Sequence, residues 1–377
     1  MIRFFFRESG KIQGVVNNMK RKSNMDKQGR GKKLSVAAKV FLIVISVLLS
    51  LLVVAAFLAK YYLDKVNYAE KETSTFADKE VIAEYFPEES SSKSEEILKM
   101  DEKLKENAMI TEDSVNHKDV YNILVIGSDI RNKDEMGRSD AMILLSVNQK
   151  KKTIYMTSIM RDIYASIPGY GNNRINAAYA FGGADLLMET IKENFGVEVD
   201  KYISVDFYSF VDIVDILGGV DMEVSDEEVG IMNDYISELN RLNGREKDEY
   251  KLSGGGKLHL NGTQALAYSR VRYVGNADFE RTNRQRKVLG QAFEKAKTAD
   301  ILTLNQLLNS ALSKVTTNLD KSEVVSLMLK VPAWLKYDLE SCRIPVEDSY
   351  QFMQVYGMSV LGIDFDKNRQ YLKETIK

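Results

Sequence analysis

Apolar and polar positions follow three rhythms along the chain. Residues 40–59 (VFLIVISVLLSLLVVAAFLA) form a run of 20 residues without a charge. At ~1.5 Å rise per residue such a run covers the ~30 Å hydrocarbon layer of a bilayer, which predicts one membrane-spanning helix. Farther on, short apolar runs of strand length appear at residues 121–126 (YNILVI), 141–147 (AMILLSV) and 153–159 (TIYMTSI). The polar turn NQKKK between the second and third predicts a hairpin. A helical rhythm then takes over. Residues 176–181 read as helix up to Gly182 and Gly183, after which Ala184, Leu187, Met188, Ile191 and Phe195 mark one apolar face. Residues 201–205 read as a strand, and residues 207–217 as a helix stopped by Gly218 and Gly219. Beyond the glycine-rich loop 254–256, residues 261–268 read as helix leading into SRVRY, and DFERTNRQR opens another helix.

Charge divides the chain. Residues 1–39 hold 11 Lys or Arg against Glu8 and Asp26, a net +9, which leaves −11 for residues 40–377. Cations stacked on one flank of an apolar run place that flank in the cytoplasm. The run is longer than a signal-peptide core and is followed by Lys60 rather than a small-x-small cleavage site, so an uncleaved anchor is expected, with all later residues outside the cytoplasm. The arm could also be read as a nucleic-acid patch, but juxtamembrane cations beside anionic lipid are the commoner arrangement, and no helix-turn-helix pattern is present. Residues 60–117 are rich in Glu, Lys and Ser and read as a partly helical stalk. Residues 118–377 read as one α/β domain. With Cys342 the single cysteine and His117 and His259 the two histidines, neither a disulfide framework nor a Cys/His zinc site can be assembled within one chain.

If the first strand is antiparallel to the second, its exit, the entry of the second and the exit of the third share one sheet edge. Polar residues gather at those places: Asp129 and Arg131 in GSDIR, Arg138 and Asp140 in GRSD, Arg161 and Asp162 in MRD. On an extended segment Arg270 and Arg272 share a face, and on a helix Asp278, Arg281 and Gln285 stand at i, i+3 and i+7. Arg284 and Arg286 lie nearer the flanks of that helix. Guanidinium forks match phosphoryl oxygens, and carboxylates beside phosphates become useful if Mg²⁺ sits between them. The alternative is a surface ion-pair network.

NILVIGSDIR, GRSDAMIL, SIMRDIY, RINAAYAFGG, LGGVD, LNGTQALAYSRVRY and DFERTNRQR, in that order, resemble the motifs of the LytR-CpsA-Psr family, from Asn122 to about Leu289. The resemblance implies an α-β-α sandwich with a mixed sheet, anchored in the plasma membrane of Gram-positive bacteria. It implies a phosphotransferase that moves a glycopolymer of teichoic acid or capsule type from a polyprenyl pyrophosphate carrier to peptidoglycan. Carried over by motif, Asp129 and Asp140 would hold Mg²⁺ (or Mn²⁺). Arg131, Arg138, Arg161, Arg270, Arg272, Arg281 and Gln285 would grip the pyrophosphate, with Asp278 orienting the arginines or acting as base. Arg174, where the family commonly has Lys, keeps its charge in that set. Met160 stands where Pro is usual, which alters a backbone preset and removes no chemical group.

Other motifs carry less. GGGKL lacks the first Gly and the Ser/Thr of a phosphate-binding loop. Asp364-Phe365-Asp366 reads as a helix cap, His259 as a weak base at best, and Trp334 with Val331 and Leu335 as the apolar face of a late helix. Residues 301–377 show packing periodicity and no chemistry. The competing functional class is a non-enzymatic envelope regulator of transcription, for which the basic arm is poor equipment.

Overall fold

The computed structural model describes residues 59–69, 95–108, 118–128 and 139–377. The described residues from Lys60 onward belong to one compact unit, residues 60–377. This unit carries, in order, β1 (Asn67–Tyr68), α1 (Glu95–Ala108), β2 (Val120–Ser128), β3 (Ser139–Asn148), β4 (Thr153–Ile159), β5 (Tyr164–Ile167), β6 (Gly171–Arg174) and α2 (Ala177–Phe195). There follow β7 (Lys201–Asp206), α3 (Phe207–Ile216), β8 (Val220–Val224), α4 (Asp226–Leu242), β9 (Gly256–Leu260), α5 (Gly262–Arg270) and α6 (Ala277–Thr298). The chain closes with α7 (Ile301–Leu312), β10 (Val315–Thr317), α8 (Lys321–Trp334), β11 (Asp338–Ile344), β12 (Tyr350–Val355), β13 (Met358–Ile363) and α9 (Phe365–Ile376). The expected span, residues 40–59, lies outside the described residues apart from Ala59; among the described residues no helix is long and apolar enough to cross a membrane.

Seven strands form one mixed sheet in the order β1-β10-β7-β2-β3-β4-β11. β3 pairs antiparallel with both β2 and β4, so the expected hairpin and the expected first pairing are both present. β7 lies parallel to β2, and β11 parallel to β4. These directions bring the exits of β2, β4 and β7 and the entry of β3 to one sheet edge.

Alternation along β2 explains the layers, because successive side chains point to opposite faces. Leu124 and Ile126 join Leu144, Tyr155 and Ile159 in a core closed by Leu104 of α1, Leu187 and Ile191 of α2 and Leu372 of α9. Ile123, with Val147 and Ile154, packs on the other face against Trp334 of α8 and Phe293 of α6. Helices therefore cover both faces. Val331, placed by the sequence beside Trp334 on one apolar face, is instead 41% exposed, while Trp334 is 7% exposed. A third cluster, including Val220, Met232, Ile236, Tyr268 and Val288, ties β8, α4 and α5 to α6. Truncating a side chain such as Leu124, fully buried, costs about 2 to 5 kcal/mol.

Two local features matter for the site. Part of the stretch read as stalk belongs to the folded unit: Ile97, Met100 and Leu104 of α1 form an apolar stripe within the main core, and β1 pairs with β10. α2 is broken at Gly182 and Gly183, and Gly183 adopts φ 63°, ψ −156°, a conformation open to glycine alone. Asp364 caps α9 as expected, its Oδ1 accepting from Lys367 N at 3.0 Å.

Candidate active site

The shared sheet edge and the α5–α6 connection enclose a cleft of about 170 Å³. Asp140, near the start of β3, and Arg161, just past β4, reach it from the sheet, where Gly127 and Ala141 leave a wall of nearly bare backbone. Arg270, Arg272, Arg281 and Gln285 reach it from the helices, beside Phe207, Tyr235 and Ser269. Six of the residues singled out from the sequence thus meet in one place.

Arg270 and Arg272 arrive differently from expectation. They do not share a face of an extended segment. A reciprocal cap between Asn261 and Gln264 starts α5, and the helix runs through Arg270; Val271 (φ −59°, ψ 121°) then turns the chain before Arg272. Arg270 Nη2 donates to Glu238 Oε2 at 3.1 Å, and its guanidinium lies 4.5 Å from the ring centre of Tyr235 and 5.4 Å from that of Phe207. Glu238, Tyr235 and Phe207 had no role in the sequence reading, since nothing in the pattern of α3 or α4 sets them apart from packing residues.

Asp278 lies beneath the cleft, buried, as the hub of the cations. Arg272 Nη2 donates to its Oδ2 at 3.0 Å, and Arg272 Nε stands 2.8 Å from Oδ1 in an ionic contact off the line of its N–H. Arg281 Nη2 lies 3.3 Å from Oδ1, and Arg161 Nε 3.7 Å from Oδ2. Arg161 also pairs with Asp140 through Nη1, and its Nε lies 3.8 Å from Asp162 Oδ2. Burial would push Asp278 up, but a hydrogen bond from Asp162 and the charges of Arg281, Arg161 and Arg272 hold it below the usual carboxylate value. Asp162 is the converse: burial, then the hydrogen bond to Asp278, push it up to about 6. Burial and the neighbouring Arg161 pull the Arg281 guanidinium down. On Arg161 burial acts downward too, yet Asp140, Asp162 and Asp278 together raise it.

The remaining expected residues are distributed as follows. Arg174 is not brought to the cleft lining. Its Nε and Nη2 both donate to Ser359 O, at 3.0 and 2.8 Å, and its Nε lies 3.5 Å from Asp162 Oδ1. Asp129, Arg131 and Arg138 lie outside the described residues. Arg284, expected on a flank, is buried: it donates to Glu228 Oε1 at 2.7 Å and to the carbonyls of Val271 and Val274 at 3.1 Å each, which fixes the turn that carries Arg272. Arg286, also expected on a flank, is buried against Ser341. His259 is bound to Asp221 and the Gly218 carbonyl, each at 2.7 Å, and does not line the cleft.

Four guanidiniums and one carboxylate thus line the cleft among the described residues. Such a surplus of planar donors suits a ligand with several closely spaced oxyanions. The model of the LytR_cpsA_psr family matches residues 84–376. The chain belongs to the LytR-CpsA-Psr family. Among similar members of this family, the polyisoprenyl-teichoic acid–peptidoglycan teichoic acid transferase TagU of Bacillus licheniformis is 36% identical over 208 residues, 54% of this chain. The match spans 62% of that relative's own length. Among solved structures, "TagT bound to LI-WTA" is 27% identical with a TM-score of 0.55, covering 71% of this chain and 93% of that one. The LytR-CPS2A-psr family protein YwtF (TagT) with bound octaprenyl pyrophosphate lipid is 27% identical with a TM-score of 0.51, again covering 71% and 93%.

Proposed function

We propose that this chain is a phosphotransferase that moves a glycopolymer, of teichoic acid or capsule type, from a polyprenyl pyrophosphate carrier to peptidoglycan. The observation that carries the reading is the convergence of Arg161, Arg270, Arg272 and Arg281 on one cleft. A pyrophosphate linkage presents the clustered oxyanions that this donor set matches, and relatives with the same fold are named as teichoic acid transferases or hold octaprenyl pyrophosphate.

A hydroxyl of peptidoglycan attacks the sugar-proximal phosphorus, a new P–O bond forms as the O–H bond breaks, and the P–O bond to polyprenyl phosphate breaks, the proton passing to that departing phosphate or to solvent. The arginines neutralise charge on the transferred and departing groups, and positioning supplies much of the rest. Asp278, kept ionised by its guanidiniums, is better suited to orienting them than to accepting a proton.

Mg²⁺ (or Mn²⁺) is part of the proposal. Among the described residues no cluster of three His, Cys, Asp or Glu is poised for a metal. Yet Mg²⁺ needs only one or two carboxylates beside phosphate oxygens, and Asp140 lines the cleft with its side chain 30% exposed. Asp140, with Asp129, would hold the ion, which would neutralise phosphate charge. The proposed setting is a single span at residues 40–59 in the plasma membrane, with the N-terminal arm in the cytoplasm and the catalytic unit outside.

The test is transfer by the purified full chain, followed as release of polyprenyl phosphate from a polyprenyl-pyrophosphate-linked glycan in the presence of peptidoglycan. Release that needs both the chain and the acceptor supports the reading. A chain that binds the lipid yet never transfers would point to a non-enzymatic regulator.

A further inference from the structure

α6 has a second working face. Arg281 and Gln285 face the cleft, whereas Asn283, Arg286, Lys287 and Gln291 line a separate groove of about 590 Å³ between α6, β8 and β11. The two openings share no lining residue. Gly290 keeps the groove's floor low, for a Cβ there would meet only Leu339 Cδ2, at 3.9 Å.

Arg286 is the unusual member. It is 9% exposed, its Nε donates to Ser341 Oγ at 2.8 Å, and its Nη1 is buried without an acceptor. Among the described residues no carboxylate forms an ion pair with it, and burial with the nearby Arg343 pulls it down to about 10. A buried cation without a counter-charge is costly, and a bound oxyanion removes that cost. The rest of the lining narrows the choice of oxyanion. Glu223 and Glu294 would repel a polyanion, whereas Lys287 and the amides of Asn283 and Gln291 suit a ligand that mixes carboxylates, amines and sugar hydroxyls.

We infer that the groove between α6, β8 and β11 is the acceptor subsite, in which Arg286 takes a carboxylate of a peptidoglycan strand. The inference rests on the phosphotransfer reading, in which the donor occupies the cleft and the second substrate needs a site of its own.

The full chain in detergent is titrated separately with a soluble muropeptide, a glycerol-phosphate oligomer, inorganic phosphate and polyprenyl pyrophosphate. Arg286→Gln should weaken muropeptide binding roughly tenfold or more, the loss of one charge-assisted contact. Gly290→Leu, which adds bulk to the groove and leaves the Arg286 side chain in place, should weaken it comparably, and it decides the matter if Arg286→Gln fails to fold. Both variants should keep wild-type affinity for polyprenyl pyrophosphate. Muropeptide binding unchanged in Gly290→Leu overturns the inference. So does a loss confined to the glycerol-phosphate oligomer, or binding of inorganic phosphate alone. A wild-type chain that does not bind polyprenyl pyrophosphate would instead sink the phosphotransfer reading itself.

Discussion

Arg272 grips Asp278 with two nitrogens, Nη2 in a hydrogen bond at 3.0 Å and Nε in ionic contact at 2.8 Å. The grip fixes the plane of a guanidinium that lines the cleft, so shape as well as charge is at stake.

Arg272→Lys should therefore be nearly as damaging as Arg272→Ala, because an ammonium keeps the charge and loses the planar fork. The expected loss is about 1.5 to 3 kcal/mol, roughly ten- to hundredfold in pyrophosphate-lipid affinity or transfer rate. Full rescue by Lys would show that only the charge counts.

Asp140→Asn should abolish Mg²⁺-dependent release of polyprenyl phosphate while leaving the melting temperature nearly unchanged. Its ion pair with Arg161 is partly exposed, with side chains 30% and 17% accessible, and such pairs contribute about 0 to 1 kcal/mol. Wild-type turnover that persists in chelator would remove the metal from the mechanism.

Asp162 sets a pH dependence of stability. Its folded pKa, about 6, is raised from 3.8, so the stability it contributes is fully present below the unfolded value and is lost as pH rises through 6. Over pH 4 to 7 that loss is on the order of 1 to 3 kcal/mol. Asp162→Asn, which stays neutral, should flatten the fall in melting temperature across this window. Equal slopes for the two proteins would mean that burial and the contact with Asp278 do not raise Asp162 in solution.

Arg284→Ala separates fold from chemistry. It leaves Glu228 buried without its cation and frees two carbonyls, so a destabilisation of about 3 to 5 kcal/mol is expected. Thermal melting should drop before any specific loss of lipid affinity appears. A chain of unchanged melting temperature would contradict the pairing.

Much of the sheet edge at the candidate site was legible because residues 121–126, 141–147 and 153–159 stand out as apolar runs of strand length, and strand direction then places Asp140 and Arg161 without further information. Asp278, Arg281 and Gln285 were legible for the same reason at helical spacing. Arg270 was misplaced because its helix ends at Val271, a residue whose type gives no stop signal. The charge-rich stretch before residue 118 masked the stripe of Ile97, Met100 and Leu104, since composition averaged over a segment hides a single buried face. The burial of Arg284 and Arg286 could not be read at all. Their partners Glu228 and Ser341 lie 56 and 55 residues away along the chain, and only the fold brings them together.

Arg270 carries one more consequence. Held by Glu238 and flanked by the rings of Tyr235 and Phe207, its long side chain loses its rotational freedom when the protein folds rather than when a ligand arrives. Association with the proposed pyrophosphate ligand would then carry a smaller entropic penalty at that contact than a free surface arginine would impose. Loosening the aromatic pair would weaken the complex through entropy, with every hydrogen bond to the phosphates still available to form.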